Sequence, residues 1–484
     1  MFQVVNLFDH QKQDETAFPP FSASDIKLND PNRFLTTYEV KQSTRNMTNC
    51  DLGLIEGELC LDRANKVINH LMQLYPFFSY GLRYDQEARW MRYVQQPVGE
   101  VNLQVSTTLN SLQDIGDFVA TASHSLNSQK LSHWEVVNVH IPEMLTVKQA
   151  LSIKTYHVLI DGVSVMQLLK KFNQLYSNSD FSFDKPELVQ VSNYRPAMSY
   201  QGELDGLAPL KPGLQTFSLT KITGQFEGPS GSSIKFMDEF KLRCRCYNEV
   251  EMARIPNVQY SFSLYAIQMA HFAGYAYFNK DLQKDQKFIG AAVDLRREKF
   301  VQNIDFENIL GQSATTAGMM VSGTIHTTLQ EIADQLQSQF ANTELTAQKF
   351  WQKTLGNEVG PIQFKKGPEV SILCSNIGKQ NLDVGPIVQM IGYSSHTHVW
   401  DTPSTLFSNS MYRGKVGMYA LEWDVGIFNE EQQTQCSQIY VELNKLIKMK
   451  GADNVTIEDA CQLYTQYFTS TKVHSKTPTT AQLE

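Results

Sequence analysis

The chain has 484 residues, of which 92 are charged (42 Lys and Arg, 50 Asp and Glu) and 42% are apolar. This is an ordinary globular composition, which excludes disorder and fibrous repeats; at about 100–200 residues per domain it allows two to four domains. A net charge of −8 and a pI near 5.8 argue against a nucleic-acid binder recruiting phosphate through a basic stripe, but leave an anionic small ligand open.

The opening segment MFQVVNLFDHQKQDE has neither the basic start nor the long apolar core of a signal peptide. No run approaches the roughly 18–20 apolar residues that span a bilayer. The seven cysteines (Cys50, Cys60, Cys244, Cys246, Cys374, Cys436, Cys461) are scattered without a CxxC pair, as expected of free thiols in a reducing compartment. The expectation is a soluble cytoplasmic protein.

In chain order, Asp62 to Leu74 carries Ala64, Val67, Ile68, Leu71 and Leu74 at helical spacing and stops at Tyr75-Pro76. Trp134–Ile141 and Ala150–His157 read as strands, and Val163–Leu175 as a helix with Met166, Leu169 and Phe172 on one stripe. From about Ser177 to Ser233, Pro186, Pro196, Pro209, Pro212 and Pro229 mix with Gly and Ser, the pattern of a long crossover. Beyond it, Ser261–Phe278 is a strongly apolar helix and Phe288–Leu295 a strand. Thr327–Phe340 and Glu430–Leu446 read as helices, with a buried strand at Val370–Cys374 between them. The threonine-rich end TSTKVHSKTPTTAQLE reads as a polar tail. The class is mixed α/β.

Several catalytic signatures are absent: GxSxG, HExxH, the Walker GK[ST] and GxGxxG. One constellation stands out, Tyr156-His157-Val158-Leu159-Ile160-Asp161-Gly162, at the junction of a strand and a helix. Such junctions display reactive side chains in α/β folds. A histidine fixed there offers a ring nitrogen near neutral pH, the aspartate can anchor the turn, and the glycine permits its backbone geometry. A core histidine beside an ordinary Asp-Gly turn is the plainer alternative.

In this context the motif resembles the HxxxDG acyltransferase superfamily, which has the chloramphenicol-acetyltransferase-like fold. That group holds the alcohol acetyltransferases, the polyketide-associated acyltransferases, the wax ester synthases, the plant BAHD enzymes and the condensation domains of peptide synthetases. Four further segments match in order. Ile55-Glu56-Gly57-Glu58-Leu59 leads into the Asp62 helix and Leu74-Tyr75-Pro76-Phe77-Phe78. Ala292 to Arg297 with Asn308-Ile309-Leu310-Gly311 resembles a v-D-x-R … N-x-x-G element. Cys374-Ser375-Asn376-Ile377-Gly378 resembles an S-N-x-G strand, and Tyr412-Arg413-Gly414-Lys415-Val416 runs on to Asp424. The resemblance covers about residues 33–450. Tyr156 stands where condensation domains double the histidine. Asp383-Val384-Gly385-Pro386 lacks the rest of the BAHD DFGWG element. A stand-alone enzyme of the alcohol-acetyltransferase or polyketide-associated kind is the better match.

The resemblance implies two similar α/β domains sharing an active-site channel: residues 1–176 with HxxxDG, a crossover at 177–235, a second half at 236–468 and a tail at 469–484. It implies His157 as general base, Asp161 as a structural carboxylate paired with Arg296, and Gly162 as room for the thioester arm. Ser375, Asn376 and Gly378 would line the channel. The donor would be an acyl thioester on coenzyme A or on the phosphopantetheine of an acyl carrier protein, with no tightly bound cofactor and no metal. The acceptor would be a hydroxyl group. An amide-forming condensation enzyme and a non-catalytic docking module are the alternatives, and a monomer without membrane span or nucleic acid is expected. His396 and His398 alternate on one strand face and can line an acceptor pocket more readily than hold a metal. Phe262, Tyr265, Phe272, Tyr275 and Phe278 read as core.

Overall fold

The computed structural model describes residues 32, 34–35, 48–85, 87, 90–183, 242–250, 253–278, 286–294, 314–341, 372–379, 382, 384–395, 405–412, 415–423 and 430–468. The crossover beyond residue 183, Arg296, Asn308–Gly311, Asp383, His396, His398 and the tail lie outside the described residues. Two compact units emerge: residues 1–251, 290–318 and 340–425, and residues 252–289, 319–339 and 426–484.

The first unit is organised by β1 (Thr48–Glu56), a strand buried along eight of its nine residues. Its sequence TNCDLGLIE does not alternate polar and apolar, because a central strand covered on both faces has no wet side. Next come α1 (Leu61–Leu74), a ribbon of β2 (Tyr80–Asp85) and β3 (Trp90–Gln95), β4 (Val105–Leu109) and α2 (Leu112–Ala120). β5 (Ser132–Val139), β6 (Val147–Tyr156) and α3 (Gly162–Ser177) follow. α1 ends where Tyr75 precedes Pro76, since a residue before proline is pushed out of helical geometry. At its other end, Arg63 donates to the carbonyls of Leu175, Tyr176 and Asn178 at the end of α3, which satisfies oxygens that the helix itself leaves open.

β1 pairs antiparallel with β6, β6 with β5, and β5 parallel with β4. The fifth strand comes from far along the chain. β11 (Ile387–Ser395) lies antiparallel against the other edge of β1, giving the order β11-β1-β6-β5-β4. Its anchor is Asn173 of α3, whose Nδ2 donates to Ile387 O at 2.7 Å and whose Oδ1 accepts from Ile387 N at 3.0 Å. Gly385 enters this contact at φ +101°, and a Cβ there would lie 2.6 Å from the Asn173 side chain. Both the backbone conformation and the close approach require glycine.

The sheet's two faces bury separate clusters. Ile55, Leu151 and Ile153 pack with Val67, Ile68 and Leu71 of α1 and with Val165, Leu168, Leu169 and Phe172 of α3. Cys50, Leu52, Leu54 and Val137 pack with Ile115 and Val119 of α2. Ser111 starts α2 by accepting from Asp114 N at 3.1 Å, while Asn110 N donates to Asp114 Oδ2 at 2.7 Å.

A second sheet has the order β7-β13-β12-β10-β8-β9. Its strands are β7 (Leu242–Val250), β8 (Gln286–Asp294), β9 (Ala314–Ser322), β10 (Ile372–Lys379), β12 (Thr405–Tyr412) and β13 (Lys415–Trp423).

The second unit holds four helices: α4 (Tyr260–Phe278), α5 (Leu329–Ala341), α6 (Glu430–Lys450) and α7 (Ile457–Phe468). α4 is apolar all round because α6 and α7 both pack on it. Phe262 and Tyr265 are buried as expected, and Tyr275 and Phe278 pack on the Tyr464 ring. Gly274 lets α4 meet α7 closely: a Cβ there would lie 2.6 Å from Ala460 Cβ. Both α5 and α7 open with capping boxes. Thr328 N donates to Glu331 Oε2 and Thr456 N to Asp459 Oδ2, each at 2.8 Å; the reciprocal bonds run from Glu331 N and Asp459 N to the threonine hydroxyls.

The helices and strands foreseen at 62–74, 134–141, 150–157, 163–175, 261–278, 288–295, 327–340 and 430–446 are present within a few residues, while the strand foreseen at 370–374 runs at 372–379. No helix among the described residues is long and apolar enough to cross a membrane. Cys50, Cys60 and Cys461 are free thiols.

Candidate active site

β6 ends at Tyr156, opposite Thr48 of β1, and His157 opens the five-residue passage to α3. Leu159 N donates to Tyr156 O at 2.9 Å, which bends the chain. Tyr156, Val158, Leu159 and Ile160 are all buried, while His157 is half-buried. The passage thus roots itself in the core through its apolar residues and leaves the imidazole as its accessible side chain. Burial pushes the Tyr156 phenol up to about 12, so this tyrosine remains neutral through the working pH range.

The carbonyls of the passage are held from outside it. Tyr93 Oη of β3 donates to Val158 O at 3.1 Å, and Asn49 Nδ2 of β1 donates to Ile160 O at 3.2 Å. Asp161 is fully buried and caps α3: its Oδ1 accepts from Ser164 N at 2.9 Å, and its carbonyl accepts from Val165 N at 3.0 Å. The capping carboxylate faces the positive end of the helix. Gly162 is the first residue of α3 and is not among the positive-φ glycines Gly57, Gly385 and Gly451. The turn therefore does not need glycine for its backbone geometry, as the sequence suggested; the residue adopts ordinary helical geometry.

A residue that sequence inspection did not single out sits beneath this helix end. Asp51 of β1 is 2% exposed, and its Oδ2 has no hydrogen-bond partner. Asn49, Asp51 and Gly53 share one face of β1, since side chains alternate. Asn49 reaches Ile160, and a Cβ on Gly53 would meet Leu169 of α3. Burial, reinforced by the charge of Asp161, holds the Asp51 carboxyl well above the usual carboxylate range. Two acids in this interior cannot both ionise cheaply, and of the pair it is Asp51 whose protonated form is favoured.

The opposite face of the same sheet end holds a buried ion pair, Lys154 Nζ to Glu135 Oε1 at 2.6 Å, with Lys154 also 4.0 Å above the Phe118 ring. Burial pushes the Glu135 carboxyl up, but the hydrogen bonds from Lys154 and Ser106 and the charges of Lys154 and His133 outweigh it and hold it low. On that face, desolvation raises the Cys50 thiol to about 12, which leaves it an inert packing residue.

Of the remaining sequence candidates, Ser375, Asn376 and Gly378 lie on β10, which runs parallel to β12. Ser375 is in register with Ser408, Asn376 with Asn409 and Gly378 with Ser410, with a bulge between Asn376 and Gly378. The second Ser-Asn pair, on β12, went unnoticed in the sequence because register alone brings it alongside the first. The structure groups His157, Asp161 and Gly162 in one turn; Arg296 lies outside the described residues. No cluster of His, Cys, Asp or Glu among the described residues could hold a metal ion.

No protein-family model and no curated protein matches the sequence. Solved structures do. The first condensation domain of the CDA synthetase matches with a TM-score of 0.54 and 11% identity, covering 89% of this chain and 99% of that one. The starter condensation domain of rhizomide synthetase, solved in complex with C8-CoA and Leu-SNAC, matches with a TM-score of 0.52 and 10% identity over 88% of this chain and 96% of its own. The condensation domain of the monacolin K polyketide synthase gives a TM-score of 0.51 and 12% identity, covering 88% and 98%. The chain has the condensation-domain fold, which is the chloramphenicol-acetyltransferase-like α/β fold that the HxxxDG resemblance implied.

Proposed function

We propose that the protein is an acyltransferase that moves an acyl group from a thioester to a hydroxyl acceptor, with His157 as general base. The observation that carries this reading is the build of the motif turn: a half-buried imidazole on a passage otherwise buried, capped by Asp161 and held by Asn49 and Tyr93. A side chain kept accessible on so fixed a backbone is suited to proton transfer.

In this mechanism the imidazole takes the acceptor proton as the acceptor oxygen attacks the thioester carbonyl. The tetrahedral intermediate collapses, the carbon–sulfur bond breaks, and the proton passes to the departing thiol. The thioester is already activated, so no acyl-enzyme is required. A positioned base contributes roughly 10²–10⁴-fold, and holding two substrates together contributes much of the rest. Asp161 caps α3 and pairs with Arg296, and Gly162 leaves space beside the base. Ser375, Asn376 and Gly378 line the channel of a two-domain enzyme divided at the 177–235 crossover, where donors from β10 can stabilise the oxyanion.

The co-substrate is a coenzyme A or phosphopantetheine thioester; the rhizomide synthetase domain, of the same fold, was solved with C8-CoA. Tyr156 in place of a doubled histidine favours an alcohol over an amine acceptor. The test is to incubate the chain with acyl-CoA of graded length and a panel of alcohols and amines, reading free thiol and product mass. An ester product supports the proposal. An amide would shift it to a condensation-type enzyme, and no product with any pair would leave the docking-module alternative standing.

A further inference from the structure

Two residues distant from the motif in sequence grip the passage that carries His157. Tyr93 stands 65 residues before Val158 and Asn49 stands 111 before Ile160, yet each donates to a carbonyl of that passage. We infer that Tyr93 and Asn49 are positioning residues for His157, fixing the two carbonyls of the loop so that the imidazole leaves the sheet in one direction. This deepens the general-base reading and rests on it.

Within the passage, Leu159 N donates to Tyr156 O. Val158 and Ile160 are 1% and 0% exposed, so their carbonyls cannot turn to bulk water and each needs a donor inside the protein. The Tyr93 hydroxyl and the Asn49 amide supply donors to them. Both donors sit on rigid supports: Tyr93 is 1% exposed in β3 and packs on Tyr80 with ring centroids 6.0 Å apart, and Asn49 is 5% exposed in β1, between β6 and β11.

Phenylalanine would fill the volume of Tyr93 and remove the hydroxyl that donates to Val158, the residue directly after His157. Freed carbonyls would let the peptide planes beside His157 rotate. A base must lie within about 2.6–3.2 Å of the proton it removes, and a displacement near 1 Å costs on the order of 10²-fold in rate.

The test uses the full chain labelled with ¹³C on the histidine rings, in the wild type and in Tyr93→Phe and Asn49→Ala. The His157 signal is assigned by its loss in His157→Ala. In both variants we expect that signal to shift or broaden with the other histidine signals unmoved, and the transfer kcat to fall roughly ten- to a hundredfold with KM within about twofold. A His157 signal superimposable on the wild type in both variants overturns the inference, whatever the activity. The ring spectrum also separates this claim from the catalytic one, since a moved signal in a chain that transfers no acyl group would uphold the positioning and refute the base.

Discussion

Asp51 and Asp161 are two buried carboxyls at one helix end, and the charge of Asp161 adds to burial in raising Asp51. They divide the work: Asp161 accepts a backbone N–H as the α3 cap, and the protonated form of Asp51 is favoured, its Oδ2 without a hydrogen-bond partner among the described residues. The sign of the pH effect follows. The folded state holds the Asp51 proton above the ordinary carboxylate pKa of about 3.9, so it binds more protons than the unfolded chain. Stability attributable to Asp51 is full in acid and is lost as pH rises toward its elevated value. Asp51→Asn removes the ionisable group, and its thermal midpoint at pH 8 should exceed the wild type by roughly 2–4 °C, with the two converging near pH 4. A lower midpoint for the variant at pH 8 would show that the ionised acid is needed.

Glu135 has the opposite sign. Its folded pKa is depressed despite burial, so its contribution is present above the ordinary glutamate pKa and lost as pH falls through the folded one. Glu135→Gln strands Lys154, 5% exposed at its side chain, without its partner. Removing one member of a buried pair costs about 3–5 kcal/mol. Urea unfolding at pH 7 should show a loss in that range, and a loss below about 1 kcal/mol would mean that the pair is effectively solvated.

Besides its ladder with β1, β11 is anchored at its start by the Asn173 side chain. Asn173→Ala leaves both Ile387 N and Ile387 O unpaired in the interior, at about 1–3 kcal/mol for each buried group. Gly385→Ala adds a strained φ and a contact near 2.6 Å with Asn173. Hydrogen exchange should quicken along Ile387–Ser395 in both variants before it changes along β5. Uniform acceleration over the whole sheet would show that β11 has no separate anchor.

In the second unit, Gly274→Ala places a methyl 2.6 Å from Ala460 Cβ and should destabilise by about 1–3 kcal/mol, as overpacking does. Ala460→Gly in the same chain should restore part of the loss. Absence of any rescue in a denaturant titration would place the strain elsewhere.

The amphipathic helices and the HxxxDG turn were legible in the sequence because each is written in local spacing, and the fold came with the superfamily resemblance that the turn and four further segments carry. Asp161 needed only its position before an apolar run to be read as an anchor. β1 was not legible, because a strand buried on both faces carries asparagine, aspartate and glycine without alternation. β11 was not legible either, since nothing local says that residues 387–395 cross to the sheet of residues 48–156. Asn49, Asp51 and Tyr93 stayed hidden for the same reason: their relation to the motif exists only through strand register. The Ser408-Asn409 pair alongside Ser375-Asn376 is a further case of register that spacing cannot show.

The most direct test of the central claim is the rate of thiol release from acyl-CoA with a productive acceptor, measured for the wild type and His157→Ala. The half-buried imidazole on its fixed turn predicts a fall of roughly 10²–10⁴-fold in kcat, with the folded fraction unchanged by circular dichroism. Equal rates in the two proteins would contradict His157 as the base.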